Sequence, residues 1–94
     1  YSDLEYSLLL VLENRFGKGS ESLIKDVEEL SGILKKHMFT GWTSQPMARK
    51  DIERELRTFL RKKYLNKPSG IVYKEIDDLC FMLKEDVETY GKAG

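Results

Sequence analysis

The apolar residues of this chain recur every three or four positions in four stretches, and nowhere does a period-two alternation persist. Glycines separate the stretches, and glycine clusters are typical of turns. Spacing of this kind excludes a strand-based fold and requires each stretch to bury one helical face against the others. We therefore predict an all-α fold, a compact bundle of about four amphipathic helices over residues 3–16, 20–38, 45–64 and 71–90.

Residues suited to capping precede three of the stretches. Ser2 and Glu5 have the spacing of a capping box, in which each side chain bonds a free backbone N–H of the first turn. Ser20 is placed to cap the second stretch, and Thr43 or Ser44 the third. Residues 66–70, which contain proline and glycine, predict the turn before the fourth stretch.

The first stretch is apolar over more of its circumference than one buried face requires. A helix of this kind is either central in the bundle or covered by something outside these 94 residues. The residues of its main stripe are Leu4, Leu8, Val11, Leu12 and Phe16, and those that widen it are Tyr6, Leu9 and Leu10.

Length and composition predict a single helical domain over residues 1–94, because two separate cores would be too small to be stable. The chain begins at Tyr1 without an initiator methionine, and we expect it to be a piece of a longer protein. The longest apolar run, residues 8–12, is too short to span a bilayer, so no membrane association is predicted. With Cys80 as the sole cysteine, no internal disulfide forms, which suits a reducing compartment; we predict the cytoplasm.

The formal net charge of zero hides an uneven distribution along the chain. Residues 49–67 carry eight bases and three acids, for a net +5, whereas residues 71–94 carry three bases and six acids, for a net −3. Either the third and fourth helices pack as antiparallel neighbours and screen each other, or the bases face phosphate or an acidic partner. The patch in the second interpretation consists of Arg57, Arg61, Lys62 and Lys63. Overall neutrality argues against a dedicated DNA-binding domain.

No residue pattern in the chain predicts catalysis, cofactor binding or metal binding. A metal site needs several converging ligands, but there is one histidine and one cysteine. His37 is interpreted as a helix-end residue and Cys80 as a buried small hydrophobe. Adjacent carboxylates on a helix point about 100° apart and form no catalytic pair. We predict no enzymatic activity for these residues, no cofactor and no small-molecule substrate. Trp42 is interpreted either as a plug between the second and third helices or as an interface anchor.

A run from the Trp42 loop into the third helix resembles a known family, the C-terminal helical region of the restriction (R) subunit of type I restriction–modification enzymes. The matching residues are Gly41-Trp42-Thr43, Arg49, Ile52, Leu56-Arg57, Leu60-Arg61-Lys62 and Tyr64. The acidic segment Glu75-Ile76-Asp77-Asp78-Leu79 and the opening Ser2-Asp3-Leu4-Glu5-Tyr6 also resemble that family.

The resemblance implies a parent chain that is an ATP-dependent, DNA-translocating site-specific deoxyribonuclease. It implies that these residues form its non-catalytic assembly domain, which docks onto the modification methyltransferase core and therefore has the methyltransferase and specificity subunits as partners. The candidate partner or phosphate contacts are Trp42, Arg49, Arg54, Arg57, Arg61, Lys62 and Lys63. Two alternatives stay open: a helical module that contacts DNA weakly through the basic third helix, and a generic helical adaptor for other proteins.

Overall fold

Four α-helices follow one another in the computed structural model, which describes residues 3–65 and 72–93, with side chains as far as residue 91. They are α1 (Asp3–Phe16), α2 (Glu21–Lys35), α3 (Pro46–Tyr64) and α4 (Tyr73–Ala93), with a short 3₁₀ turn over Trp42–Ser44 before α3. No strand occurs in the described ranges. The predicted all-α bundle of four helices is confirmed.

Each helix packs against two others, in the cyclic order α1, α2, α3, α4 and back to α1. Contacts between opposite helix ends show that neighbours run antiparallel: Arg15 at the end of α1 meets Glu75 at the start of α4, and Asp26 near the start of α2 meets Tyr64 at the end of α3. The apolar stripes enclose one core. Its largest fully buried side chains are Leu4, Leu8, Leu12, Val27, Leu30, Leu34, Ile52, Leu56, Leu60, Ile76 and Leu83.

The predicted caps are partly right. Ser20 precedes α2 and its Oγ accepts a hydrogen bond from the Leu23 N–H at 3.3 Å, as predicted. Thr43 and Ser44 do not cap α3, because both lie within the 3₁₀ turn. Gln45 occupies the N-cap position instead, and its side chain makes no capping bond. The expected Ser2 cap and the turn over residues 66–70 fall outside the described residues.

The second helix ends at Lys35, three residues before the predicted boundary at residue 38. The N–H groups of His37 and Met38 donate to carbonyls only three residues back, those of Leu34 at 3.0 Å and Lys35 at 3.2 Å. This tightening is typical of the last turn of a helix. Met38 still packs against the core as a partly buried side chain, which explains why it continued the apolar repeat.

The fourth helix is displaced along the chain relative to the prediction. Residue 71, where we placed its start, is not among the described residues, and Val72 lies before the helix with 54% of its surface exposed. At the other end α4 continues through Gly91 to Ala93 instead of ending at residue 90. Gly91, expected to break the helix, is one of its residues, and a packing contact described below explains its presence.

The first helix is not central. It packs against α2 and α4 but not against α3 within the described part of the chain. Leu8 and Leu12 are fully buried, whereas Tyr6 and Leu10, on the other side of the helix, expose 56% and 48% of their surfaces. Of the two interpretations of its apolar excess, the central helix is therefore not the one that the packing realises. The alternative, a cover supplied from outside these residues, stays a prediction.

Trp42 closes the end of the bundle where α3 and α4 meet. Its side chain is only 5% exposed, and its ring rests directly on the backbone of Gly91. A Cβ added at Gly91 would lie 2.5 Å from Trp42 Cζ2 and 2.8 Å from Thr43 Cγ2. The absence of a side chain at residue 91 thus lets the ring approach the helix. Gly32 is different, since α2 runs through it unbroken and a Cβ there would meet nothing within 4 Å.

We expect Gly91→Ala to destabilise the protein despite the better helix propensity of alanine. Displacing the Trp42 ring costs about 1–3 kcal/mol, which outweighs a propensity gain of about 1 kcal/mol. Gly32→Ala is the matched control, because it brings the same propensity gain into open space and should raise the free energy of unfolding. Urea unfolding of both variants measures the difference. A Gly91→Ala protein as stable as Gly32→Ala would contradict the close contact.

Candidate functional site

Salt bridges between α3 and α4 hold two of the predicted contact residues. Arg49 Nε, near the start of α3, donates to Glu88 Oε1 near the end of α4 at 3.0 Å. Arg61 Nη2, near the end of α3, lies 4.0 Å from Asp77 Oδ1 near the start of α4. The Arg61 guanidinium also lies over the Tyr73 ring, 5.1 Å from its centroid. The first interpretation of the charge pattern is thus the one that the geometry realises, with antiparallel neighbours that screen each other.

Glu53 is the acceptor at the centre of this α3–α4 interface. Its Oε1 accepts from Arg57 Nη2 at 3.0 Å, the i,i+4 pair, and its Oε2 accepts from Lys84 Nζ on α4 at 3.5 Å. Partial burial by itself would raise the pKa of Glu53, but Lys84 and Arg57 outweigh that effect and hold this pKa below its ordinary value. The carboxylate is therefore kept ionised by two cations, one of them from the neighbouring helix.

Two further bases of α3 have carboxylate partners, Arg54 within α3 and Lys63 on α2. Arg54 Nη2 lies 3.1 Å from Asp51 Oδ1, three residues earlier on the same helix. Lys63 Nζ lies 3.8 Å from Asp26 Oδ1 and 3.4 Å from Glu29 Oε2, both on α2. These contacts tie the end of α3 to the start of α2 and satisfy the charge of Lys63 within the bundle.

Lys62 is the exception among the predicted contact residues. It is exposed and has no charged partner in residues 3–65 and 72–93. The candidate bases that do have a carboxylate within 4.0 Å are Arg49, Arg54, Arg57, Arg61 and Lys63. A continuous patch of free cations is therefore not what α3 presents.

The Tyr64 side chain connects the ends of three helices. Tyr64 Oη donates to Asp26 Oδ2 at 2.8 Å, and its ring centroid lies 4.8 Å from that of Phe16 at the end of α1. Burial raises the pKa of Tyr64 far above its ordinary value, and the carboxylate of Asp26 raises it further. Tyr64 therefore remains a neutral donor. Sequence reasoning did not find this pair, because Asp26 is 38 positions away from Tyr64.

Cys80 and His37 carry reactive side chains, and each contacts neighbouring parts of the bundle. Cys80 is buried, and burial raises the pKa of its thiol, which suppresses the nucleophilic thiolate. His37 lies in the turn after α2, with Nε2 3.7 Å from Glu55 Oε2. Within the described ranges, no three His, Cys, Asp or Glu side chains come together as a metal site would require. None of the helices there is long and apolar enough to cross a membrane.

A groove of about 740 Å³ lies at the end of the bundle beside Trp42. Phe39 and Tyr90 line it together with Trp42, and Asp3 and Lys35 supply its charged groups. Because the Trp42 ring is buried against Gly91, it forms the wall of this groove and does not project from the surface as a free anchor. Trp42 thus fills a junction of the bundle, as the plug interpretation has it, but the junction is with α4 and not between α2 and α3.

A second concave surface runs between α1 and α4 on the outside of the bundle, and we call it the α1–α4 face. It consists of two adjoining grooves of about 240 and 270 Å³ that share Val11, Asn14 and Met82. Leu10 lines one groove and Leu79 the other. Sequence analysis flagged the excess of apolar residues on α1 but did not identify this face, because Met82 joins it only through the packing of α4 against α1.

Comparison with known proteins adds no relative. No protein-family model, no curated protein and no solved structure matches this chain.

The contacts of Glu53 predict a pH-dependent contribution to stability. Because its pKa is depressed in the folded state, the carboxylate stabilises the fold above its unfolded pKa of about 4.3, and this stabilisation is lost as the pH falls through the folded pKa. Glu53→Gln should lower the free energy of unfolding by up to about 1 kcal/mol at pH 7, since the group is partly exposed.

Urea unfolding of Glu53→Gln at pH 7 and at about pH 3 measures this contribution, and the deficit should shrink at the lower pH. Glu28→Gln is the control, because Glu28 is exposed and makes no ion pair in the described structure. A deficit that stays constant with pH would show that the two cations do not stabilise the ionised form.

Proposed function

We propose that this domain is a non-catalytic docking module of a type I restriction enzyme R subunit, contacting the modification methyltransferase core in the cytoplasm. The family part of this proposal rests on the sequence resemblance around Trp42 and the third helix. The docking part rests on one structural observation: α1 presents large apolar side chains that the other three helices leave uncovered.

The uncovered side chains support docking because they are large and close to other apolar residues. Tyr6 and Leu10 lie on the outward side of α1, and Met82 on α4, which is 43% exposed, lines the same groove as Leu10. Exposed apolar residues scattered singly are ordinary on protein surfaces, but residues that share a groove are typical of an interaction site. A partner that covers them would remove apolar area from water, which favours association.

The charge pairing on α3 favours protein docking over the alternative of DNA contact. A phosphate has to compete for each of the five paired bases with a carboxylate that is already within 4.0 Å. Binding to DNA is favoured when lysines and arginines neutralise phosphates and so release the counterions condensed on the DNA. A base that is already paired with a carboxylate contributes less to this release. The surroundings of Cys80 support a non-catalytic role, because its thiol is buried and its pKa is raised.

We expect the domain not to bind duplex DNA measurably at physiological salt. Titration of labelled duplex DNA with the protein over a series of salt concentrations measures this by fluorescence anisotropy. At low salt, any residual binding should have a shallow dependence of log K on log salt, corresponding to about one or two phosphates. A slope that indicates five or more phosphate contacts would support the DNA-contacting alternative and contradict the docking proposal for α3.

We expect deletion of residues 1–94 from the parent chain to abolish its co-purification with the methyltransferase and specificity subunits. The physical reason is that the deletion removes the exposed apolar surface on α1, to which the partner is proposed to bind. Circular dichroism and gel filtration of the shortened chain check that the remainder is folded and monodisperse. Retention of the complete assembly after the deletion would overturn the proposal.

A further inference from the structure

Acidic side chains flank the apolar part of the α1–α4 face. Asp78 and Asp86 lie four residues before and four residues after Met82 on α4, so the three share one side of that helix. Asp78 also lines the groove that contains Val11 and Met82. Val11 of α1 lies across that groove, and Leu10 lines the adjoining one. An apolar strip is thus bordered on its α4 side by carboxylates about 12 Å apart along the helix.

These carboxylates differ from the other acids of α4 in their pairing. Glu88, Asp77 and Glu75 each have an arginine from α3 or α1 within 4.0 Å. Asp78 and Asp86 have no ion pair in the part of the chain that the structure describes, and neither does Glu85, which follows Met82 by three residues. The bundle therefore neutralises the sides of α4 that face its neighbours and leaves the outer side negatively charged.

The opposite border of the face supplies little positive charge. Arg15 donates to Glu75 at 2.6 Å and is thereby neutralised within the α1–α4 interface. Glu13 Oε2 accepts from the Gly19 N–H at 3.4 Å, and Lys18 is the one base that lines these grooves without a partner among residues 3–65 and 72–93. Taken together, the α1–α4 face is an apolar strip with a net negative border.

We propose, on the basis of the docking function above, that the α1–α4 face binds an amphipathic helix with a basic flank, contributed by the partner protein. A helix lying along the strip places apolar anchors against Leu10, Val11 and Met82, as helices bound in grooves do. Lysines or arginines two turns apart on its flank reach Asp78 and Asp86. The border of acids makes the recognition directional and disfavours an acidic partner.

A second copy of the chain does not fit this face as well. A two-fold symmetric dimer brings the same surface patch of each copy together. Asp78, Glu85 and Asp86 of one copy would then oppose those of the other, and like charges across an interface cost free energy. The bases of α3 do not supply the opposite charge that these acids would need from a second copy, because five of the candidate cations already pair with carboxylates of their own bundle.

The test measures the binding of the full parent chain to two probes by fluorescence anisotropy. One probe is the methyltransferase–specificity core, and the other is a synthetic helical peptide of about 18 residues, five turns, with a leucine stripe flanked by lysines. The double variant Asp78→Lys/Asp86→Lys should weaken binding of both probes by about tenfold or more, because each reversed charge turns an attraction into a repulsion. Met82→Ser should weaken both through the lost apolar contact.

The matched control is Glu21→Lys/Glu28→Lys, which makes the same change of charge on exposed residues of α2 and should alter binding by less than about twofold. A peptide with glutamates in place of the lysines should bind more weakly than the basic peptide. Equal binding of both peptides, or unchanged binding by the α4 double variant, would overturn the inference. Self-association of the wild-type chain that Met82→Ser abolishes would overturn it in favour of a second copy.

The two proposals fail in different ways. If the wild-type chain binds the basic peptide through this face but not the methyltransferase core, the recognition mode stands and the docking function is wrong. If it binds the core and the α4 double variant binds equally well, the docking function stands and this inference is wrong. If it binds neither probe, both are wrong.

Discussion

Burial of one leucine-rich core by four helical stripes is the constraint on which the rest of the structure depends. A fully buried leucine or isoleucine contributes about 1.5–3 kcal/mol, whereas an exposed ion pair contributes about 0–1 kcal/mol. Leu8, Leu34, Leu60 and Leu83 are each fully buried, one from each helix. The core therefore holds the helices together, and the salt bridges select which sides of the helices face each other.

The ion pairs nevertheless decide what the surface offers to other molecules. The basic third helix is paired along much of its length with acids of α2, α3 and α4, so its net charge of +5 in the sequence does not become a free patch. The acids of α4 that serve this pairing are Asp77 and Glu88, on the side toward α3. The acids on its outer side remain available. The chain is neutral in total, but ion pairs neutralise most bases of α3 and leave the acids on the outer side of α4 without a partner in the described residues.

Sequence periodicity predicted the number, type and approximate extent of the helices because each stripe has to match the core. It failed at the ends, where local backbone bonds and tertiary contacts compete. The stripe residue Met38 packs on the core from beyond α2, and Gly91 lies inside α4 because Trp42 needs its empty side. Neither fact has a local signal. For the candidate site, composition identified the bases of α3 but not their partners, since the pair of Arg49 with Glu88 joins residues 39 positions apart.

The apolar excess of α1 was the one local signal that pointed to a surface rather than to the core. It left two explanations, a central helix or an external cover, and the cyclic packing of the helices removes the first. In a ring of four helices every member has an outward side. On α1 that side carries the exposed Tyr6 and Leu10, and α4 beside it exposes Phe81 and Met82. The acids of α4 that have no ion pair within the described residues lie beside it, so this surface combines an apolar strip with a negative border, the two properties on which the proposed helical partner rests.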